Sequence, residues 1–418
     1  MTEPLQAVRA QLTRQVSHWV TAAGRLDPDD LASPEAWSHL ERYLGLSIRR
    51  HLEGVIGRLR AEADVLTATM RTAETPTSLR GLQKRLLQFR RRFSRAETTL
   101  DFYADAINTR TSAHMTGLLR ACDILAHRSM STLLDQLGFD TPVVLSYVDK
   151  GLGASILKAG LRLWDGGAEN PAAAIKIVRH NLLRPTALIH EAGHQVAHIT
   201  DWNRELAETL VRGLHDAPEG VAEAWSSWAS EIAADAFAFV HTGYASVAAL
   251  HDVLAGEDNF VFQHTPGDPH PICYLRVLLG VETCRTFYGA GPWDSLSASW
   301  LASYPIHCGS RTKRLLESSL PFLPRIVQLT LATPQRAFRD RALRTLIPPE
   351  RVSPKELQAL QTRLGTSLHT SMHWVWTECL RLLAWTGWQM AVSPGETSEI
   401  LKLQEASMLR LGGALQAA

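Results

Sequence analysis

The sequence predicts a mainly α-helical protein with a small α+β core, on three observations. Over most of the 418 residues, apolar side chains recur at three- and four-residue steps, the period of an amphipathic helix. After Gly138 that texture gives way to β-branched and alternating runs separated by glycine-rich turns, as in a small sheet. A hydrophobic content of 45% belongs to an ordinary globular chain, here long enough for two or three domains. With 43 basic against 42 acidic residues, the balance points neither to a nucleic-acid binder nor to an acidic solvated chain. By texture the chain divides into an N-terminal helical bundle (1–138), an α+β core (139–310) and a C-terminal helical region (311–418).

The first twenty residues are broken by charges every few positions and lack the apolar stretch of a secretory signal, so a cytoplasmic protein is expected. Helices are predicted over 37–69 and 77–108. The intervening AETPTS supplies a proline and cap-forming residues, and a third helix over 112–137 completes the bundle. Within the second helix, LRGLQKRLLQFRRRFSR (79–95) holds seven basic residues and no acid. Phe89 and Phe93, four apart, read as core rather than as a base-stacking platform. The basic side is either a solvated face or a docking surface for nucleic acid, an anionic membrane or an acidic partner.

In the core, PVVLSYV (142–148), SILKAGLRLW (155–164) and AIKIV (174–178) read as strands of a small antiparallel sheet. GLGASILKAG is glycine-rich but lacks the GxxxxGK[ST] or GxGxxG spacing of phosphate-binding loops, so it reads as a turn. Helical texture then continues to the end, interrupted at LIPPERVSPKE by three prolines. MHWVWTECLRLLAWTGWQMAV (372–392) is about long enough to span a bilayer, but Glu378 and Arg381 sit near its middle. Charges there are costly in lipid, so one buried core helix and no transmembrane segment are predicted. The five cysteines are scattered and lack CxxC spacing, as expected of free thiols in a reducing compartment.

The chemistry is concentrated in HEAGHQVAHITDW, which begins at His190. It stands behind Pro185, a residue favoured at helix starts, and should lie on a helix directly following the AIKIV strand. Residues four apart share a helix face, so His190 and His194 can aim their imidazoles at one point while Glu191 is turned about 100° away, beside it. Two metal ligands and a neighbouring base result. HExxH arises by chance about 0.04 times in a chain of this composition, so the motif needs a third ligand to be decisive. A metzincin arrangement fails, because its glycine and third histidine fall on Ala197 and Thr200. His198 lies a further turn along and reads as a packed or hydrogen-bonded helix residue.

Downstream, EAWSSWASEIAADAFAFV offers Glu231 and Asp235, again four apart on one face, among alanines that let two helices approach closely. Burying that carboxylate pair on an apolar helix is costly unless a cation compensates it. Glu231 is therefore the best third ligand, with Glu205, Glu208 and Glu223 as weaker candidates.

His190-Glu191-x-x-His194 followed by Glu231-x-x-Ala234-Asp235 resembles the gluzincin arrangement. That resemblance implies a His₂Glu zinc site with one Zn²⁺ per chain, Asp235 orienting a ligand histidine, and a zincin-like core. A further element, His270-Pro271 with Arg276 six residues after the histidine, is similar to the signature that follows the glutamate helix in the HtpX-like and CAAX prenyl endopeptidase family. By that resemblance His270 hydrogen-bonds a developing oxyanion and Arg276 holds the region in place. Most members of that family are membrane-embedded, whereas this chain resembles them only over roughly 174–280 and shows no span.

The expected activity is hydrolysis of a protein or peptide substrate by a zinc-activated water, with Glu191 as general base. The AIKIV strand, with Arg179 and His180 after it, would offer an open sheet edge to an extended substrate. The alternatives are a helical scaffold or partner-binding protein whose zinc site is structural or vestigial, and a nucleic-acid-associated regulator resting on the basic helix. A purely structural zinc site has no use for Glu191.

Overall fold

The computed structural model describes residues 2–151, 153–161 and 169–413. The chain packs as two compact units, one of residues 1–111 with 157–174 and the other of 112–156 with 175–418.

The first unit is built on four helices: α1 (Glu3–Gly24), α2 (Pro34–Leu44), α3 (Ile48–Thr72) and α4 (Pro76–Asn108). The single helix expected over 37–69 is two, because Gly45 takes the left-handed conformation (φ 68°) that ends a helix cheaply only for glycine. Within AETPTS a capping box starts α4, Thr75 Oγ1 accepting from the Ser78 amide at 3.1 Å while Ser78 Oγ accepts from the Thr75 amide at 2.9 Å. Leu12, Val16, Leu59, Leu66, Leu82, Leu86, Phe89 and Phe93 form the core between α1, α3 and α4. The basic stretch of α4 faces outward, with Arg80, Lys84, Arg85, Arg90 and Arg91 exposed. Arg92 is half-buried and pairs with Glu62 at 2.7 Å, and Arg90 lies over the Trp19 ring. Tyr103 donates to Asn170 Oδ1 at 2.7 Å, which ties residues 157–174 to α4.

Three strands, β1 (Val143–Val148), β2 (Ser155–Leu157) and β3 (Ala172–Ile177), form a sheet in the order β1-β3-β2. The sheet is mixed, not antiparallel as expected, because alternation marks a strand without fixing its direction. The strand predicted over 155–164 ends at Leu157, and its 162–164 portion lies outside the described residues. A second correction concerns AIKIV. It lies in β3, the central strand with a neighbour on each side, so it is no open edge for a substrate. The buried run Ala172, Ala173, Ala174 and Ile175 is what a strand covered on both faces requires.

The second unit begins with α5 (Ala113–Leu137), which packs on β1 and on the C-terminal helix Thr397–Leu411. A Cβ at Gly412 would overlap the Gly117 carbonyl, so these two helices touch backbone to backbone. Next come α6 (Thr186–Ile199), α7 (Trp202–Gly213), α8 (Val221–Ser227), α9 (Ala229–Thr242) and α10 (Tyr244–Leu254). The short α11 (Asp258–Val261) and α12 (Cys273–Tyr288) follow. Thr186 opens α6 immediately after Pro185, behind a single 3₁₀ turn that follows β3.

No helix among the described residues is long and apolar enough to cross a membrane. The segment 372–392 is two helices, Met372–Thr377 and Cys379–Val392, rather than the single one expected. They break at Glu378, which forms an ion pair with Arg381 at 3.2 Å, so the mid-segment charges sit at a kink where both find partners. The second of these helices is buried from Leu382 to Gly387 and packs on α10.

Candidate metal centre

The site starts from the contact of α6 with α9. Gly193 faces Ala234: a Cβ placed on Gly193 would lie 2.9 Å from Ala234 Cα and 3.1 Å from its carbonyl oxygen. With glycine on one helix and alanine on the other, the two backbones approach more closely than larger residues permit. His190 and His194 on α6 are thereby brought against Glu231 on α9.

His190 Nε2 lies 3.4 Å from Glu231 Oε2, and His194 Nε2 lies 3.2 Å from Glu231 Oε1. One ligand atom from each of the three residues lies within 4.8 Å of the others. Metal bonds of ~2.0–2.2 Å in a tetrahedron place neighbouring ligand atoms about 3.4 Å apart, close to each of these two separations, although they involve different oxygens of Glu231. Each imidazole is also held from behind. His190 Nδ1 donates to Asp235 Oδ1 at 2.8 Å, and His194 Nδ1 lies 3.3 Å from Ser230 Oγ. The Asp235 carboxylate, which can only accept, fixes a hydrogen on His190 Nδ1, while the Ser230 hydroxyl can donate to His194 Nδ1 or accept from it. Two imidazoles and one carboxylate are the donor types that suit a divalent ion such as zinc, with His190 giving up a proton as it ligates.

Arg276 on α12 reaches across to α9. Its Nε and Nη2 grip Asp235 at 2.6 and 2.8 Å, and Nη2 also donates to Glu231 Oε2 at 3.0 Å. Burial favours the neutral form of Glu231, but its hydrogen bonds to His190 and His194 and the Arg276 charge prevail, holding the carboxyl well below the usual range. For Asp235, burial is likewise outweighed, chiefly by the Arg276 charge and the His190 hydrogen bond. Burial alone would depress His190, yet Asp235 and Glu231 push it up to about 10. Arg276 thus balances two carboxylates that the interior would otherwise hold side by side.

Glu191 is buried on the wall of a cavity shared with the cluster, and its side chain has no hydrogen bond or ion pair to another described residue. His270 lies just before α12 on an exposed rim, its Nε2 3.7 Å from Glu231 Oε1. Asp268 holds it, accepting from His270 Nδ1 at 2.7 Å and from the His270 amide at 3.0 Å. His190, Glu191, His194, Glu231, Asp235, His270 and Arg276 are therefore brought into one cluster. The weaker third-ligand candidates are not. Glu205 accepts from the Arg336 and Ala337 amides, Glu208 pairs with Arg204 and Arg336, and Glu223 is exposed. His198 is exposed on α6.

Ser230 and Asp268 are contributors that sequence reasoning missed. Ser230 directly precedes Glu231, where a hydroxyl gives no signal of its own. Asp268 stands two before His270, a local spacing at which an aspartate commonly turns back on the chain.

No known protein family, no curated protein and no solved structure matches this chain.

Proposed function

We propose that this chain is a zinc-dependent metalloendopeptidase acting on protein or peptide substrates inside the cell. His190, His194 and Glu231 are the ligands and Glu191 is the general base. The observation that carries this reading is the convergence of two oriented imidazole Nε2 atoms and one carboxylate, with an unpaired buried glutamate on the wall of the same cavity. A bound zinc ion supplies Lewis acidity and lowers the pKa of its water towards ~7.

The chain's own residues do the rest. Glu191, unengaged by any neighbour, takes the proton of the attacking water and delivers it to the leaving amine. His270 gives its Nδ1 hydrogen to Asp268, so it would act as the imidazolium, donating from Nε2 to the carbonyl oxygen as negative charge develops there. Arg276 and Asp235 keep Glu231 and His190 in position, so little reorganisation is left for the reaction itself. The gluzincin resemblance and a zincin-like core over 139–310 belong to the same proposal.

Metal analysis joined to a peptide-cleavage assay tests it. Glu191→Gln is expected to keep about one zinc per chain and lose hydrolysis, because its role is proton transfer and not ligation. His190→Ala and His194→Ala are expected to lose the metal. Stoichiometric zinc in either histidine variant would sink the site, and equal cleavage by Glu191→Gln and wild type would reduce it to a structural one.

A further inference from the structure

The basic stretch of α4, bracketed by Glu74 and Glu97, holds seven positive side chains and no acid from Thr75 to Ala96. The seven divide by direction. Three are tied to neighbouring helices: Arg85 donates to Thr69 Oγ1 at 3.3 Å, Arg92 pairs with Glu62 at 2.7 Å, and Arg90 lies over the Trp19 ring. Arg80, Lys84 and Arg91 are exposed and have no hydrogen bond, ion pair or ring contact to another described residue. Arg95 is exposed as well. At 3.6 residues per turn, Arg80, Lys84, Arg91 and Arg95 fall within about 60° of one another, on the side opposite Phe89 and Phe93 in the core. They form a ridge about 22 Å long.

Stability does not call for this ridge. Arg80 with Lys84, and Arg91 with Arg95, are like charges four apart, an unfavourable spacing on a helix. The first turn of α4 carries no acid, although that end of a helix favours one. What the ridge lacks is an anion from outside.

Three features choose the anion. Six of the seven basic residues are arginines, whose planar fork matches a phosphate through two hydrogen bonds. The ridge exposes one large apolar side chain, Leu87, and no aromatic ring. It therefore has neither the apolar face that an interfacial helix buries in a membrane nor the rings on which single-stranded bases stack. Finally, exposed residues from Arg90 round to Arg85 cover about 220° of the helix circumference. A helix this open fits the major groove of B-form DNA, about 12 Å wide, whereas that of A-form RNA is too narrow for it.

We propose that the α4 ridge docks on the phosphates of double-stranded DNA without regard to base sequence. The formal charge of the whole chain is only +1, so the attraction belongs to this ridge and not to the molecule at large. The proposal is independent of the peptidase reading.

Fluorescence anisotropy of a labelled duplex of about 25 base pairs, titrated with the full chain, tests it. Four phosphate contacts give about a 100-fold loss of affinity between about 50 and 200 mM salt. A triple variant, Arg80→Gln with Lys84→Gln and Arg91→Gln, should flatten that loss to about threefold to fourfold. Its melting temperature should equal or exceed that of the wild type, because a like-charge pair is relieved at each end of the ridge. Should the triple variant fold poorly, Arg91→Gln alone is expected to lower the salt slope by about one. The control removes the same charge from exposed sites in the other unit, Arg314→Gln with Lys355→Gln and Arg363→Gln, and should bind as the wild type does.

Duplex affinity that the ridge variants leave unchanged, or that the control lowers equally, overturns the proposal. Equal affinity for single-stranded DNA or duplex RNA of the same length overturns it too. Binding to vesicles of phosphatidylcholine and phosphatidylserine without binding to the duplex would give the ridge to a membrane instead. Displacement of the duplex by polyglutamate at equal charge would give it to an acidic protein.

Discussion

Arg276 grips the Asp235 carboxylate through two nitrogens, Nε at 2.6 Å and Nη2 at 2.8 Å, and the same Nη2 reaches Glu231 at 3.0 Å. Asp235 in turn holds His190, so one guanidinium positions two of the three proposed ligands. Arg276→Ala leaves a buried and a half-buried carboxylate without their cation, and we expect a loss of about 3 kcal/mol in unfolding free energy. Zinc affinity, measured by chelator competition, should fall about 10–100-fold. Arg276→Lys should restore little, because an ammonium cannot make the two-pronged contact. Wild-type affinity in the lysine variant would mean that charge alone matters there.

His270 is expected to act on the transition state and not on the metal. His270→Ala should lower kcat about 10²–10³-fold with KM and zinc content nearly unchanged. Asp268→Ala, which frees the ring to rotate, should reproduce part of that loss. Cleavage by His270→Ala at the wild-type rate would remove the residue from the mechanism.

Gly193→Ala tests the helix contact. The added Cβ meets the Ala234 backbone, which cannot swing aside, so α6 and α9 must part by a few tenths of an ångström. Overpacking of this kind costs about 1–3 kcal/mol, and the separation should also weaken zinc binding. Gly57→Ala is the control: nothing lies within 4 Å of a Cβ there, mid-helix in α3, and a gain of roughly 0.5–1 kcal/mol is expected. Equal zinc affinity in Gly193→Ala and wild type would show that the ligands tolerate a looser packing.

His241 governs a separate pH dependence. It is buried against Phe237 with its Nε2 unpartnered, and burial, with the Arg351 charge, pulls it down to about 3 against a weaker upward pull from the Ser129 backbone. Only the unfolded chain then takes up the proton between about pH 6.5 and pH 3. Its contribution is fully present above pH 6.5 and is lost as pH falls, by up to about 1.4 kcal/mol per unit. Urea unfolding from pH 7 to pH 4 should therefore show a steeper acid loss in wild type than in His241→Phe. Parallel curves would mean that His241 takes up a proton in the folded state.

Much of the cluster was legible because helical periodicity is local. His190 with His194 and Glu231 with Asp235 each declare a shared face through a four-residue step, and the alanines around Glu231 announce a close helix contact. The depth of that contact at Gly193 was not legible, since glycine in a helix reads first as a weakness. The strands β1 and β3 were visible in their β-branched runs, but the central place of β3 depends on which strands pair, and no local pattern carries that. The break at Gly45 needed a left-handed residue, and the break at Glu378 needed partners for two charges. Both are decided by surroundings the linear text does not display. Phe89 and Phe93 were readable as core because their spacing matched the stripe that packs on α1 and α3.

The cluster spans α6 to α12, with His190 and Arg276 lying 86 positions apart. At synthesis rates of 5–20 residues per second, roughly 4–17 s separate the emergence of the first histidine from that of the arginine that neutralises its partners. The carboxylates of Glu231 and Asp235 emerge about midway through that interval and the cation only at its end, so the complete cluster is a late product of chain growth. A nascent chain halted between Asp235 and Arg276 would carry all three proposed ligands and still lack the guanidinium that lets Glu231 and Asp235 share one space.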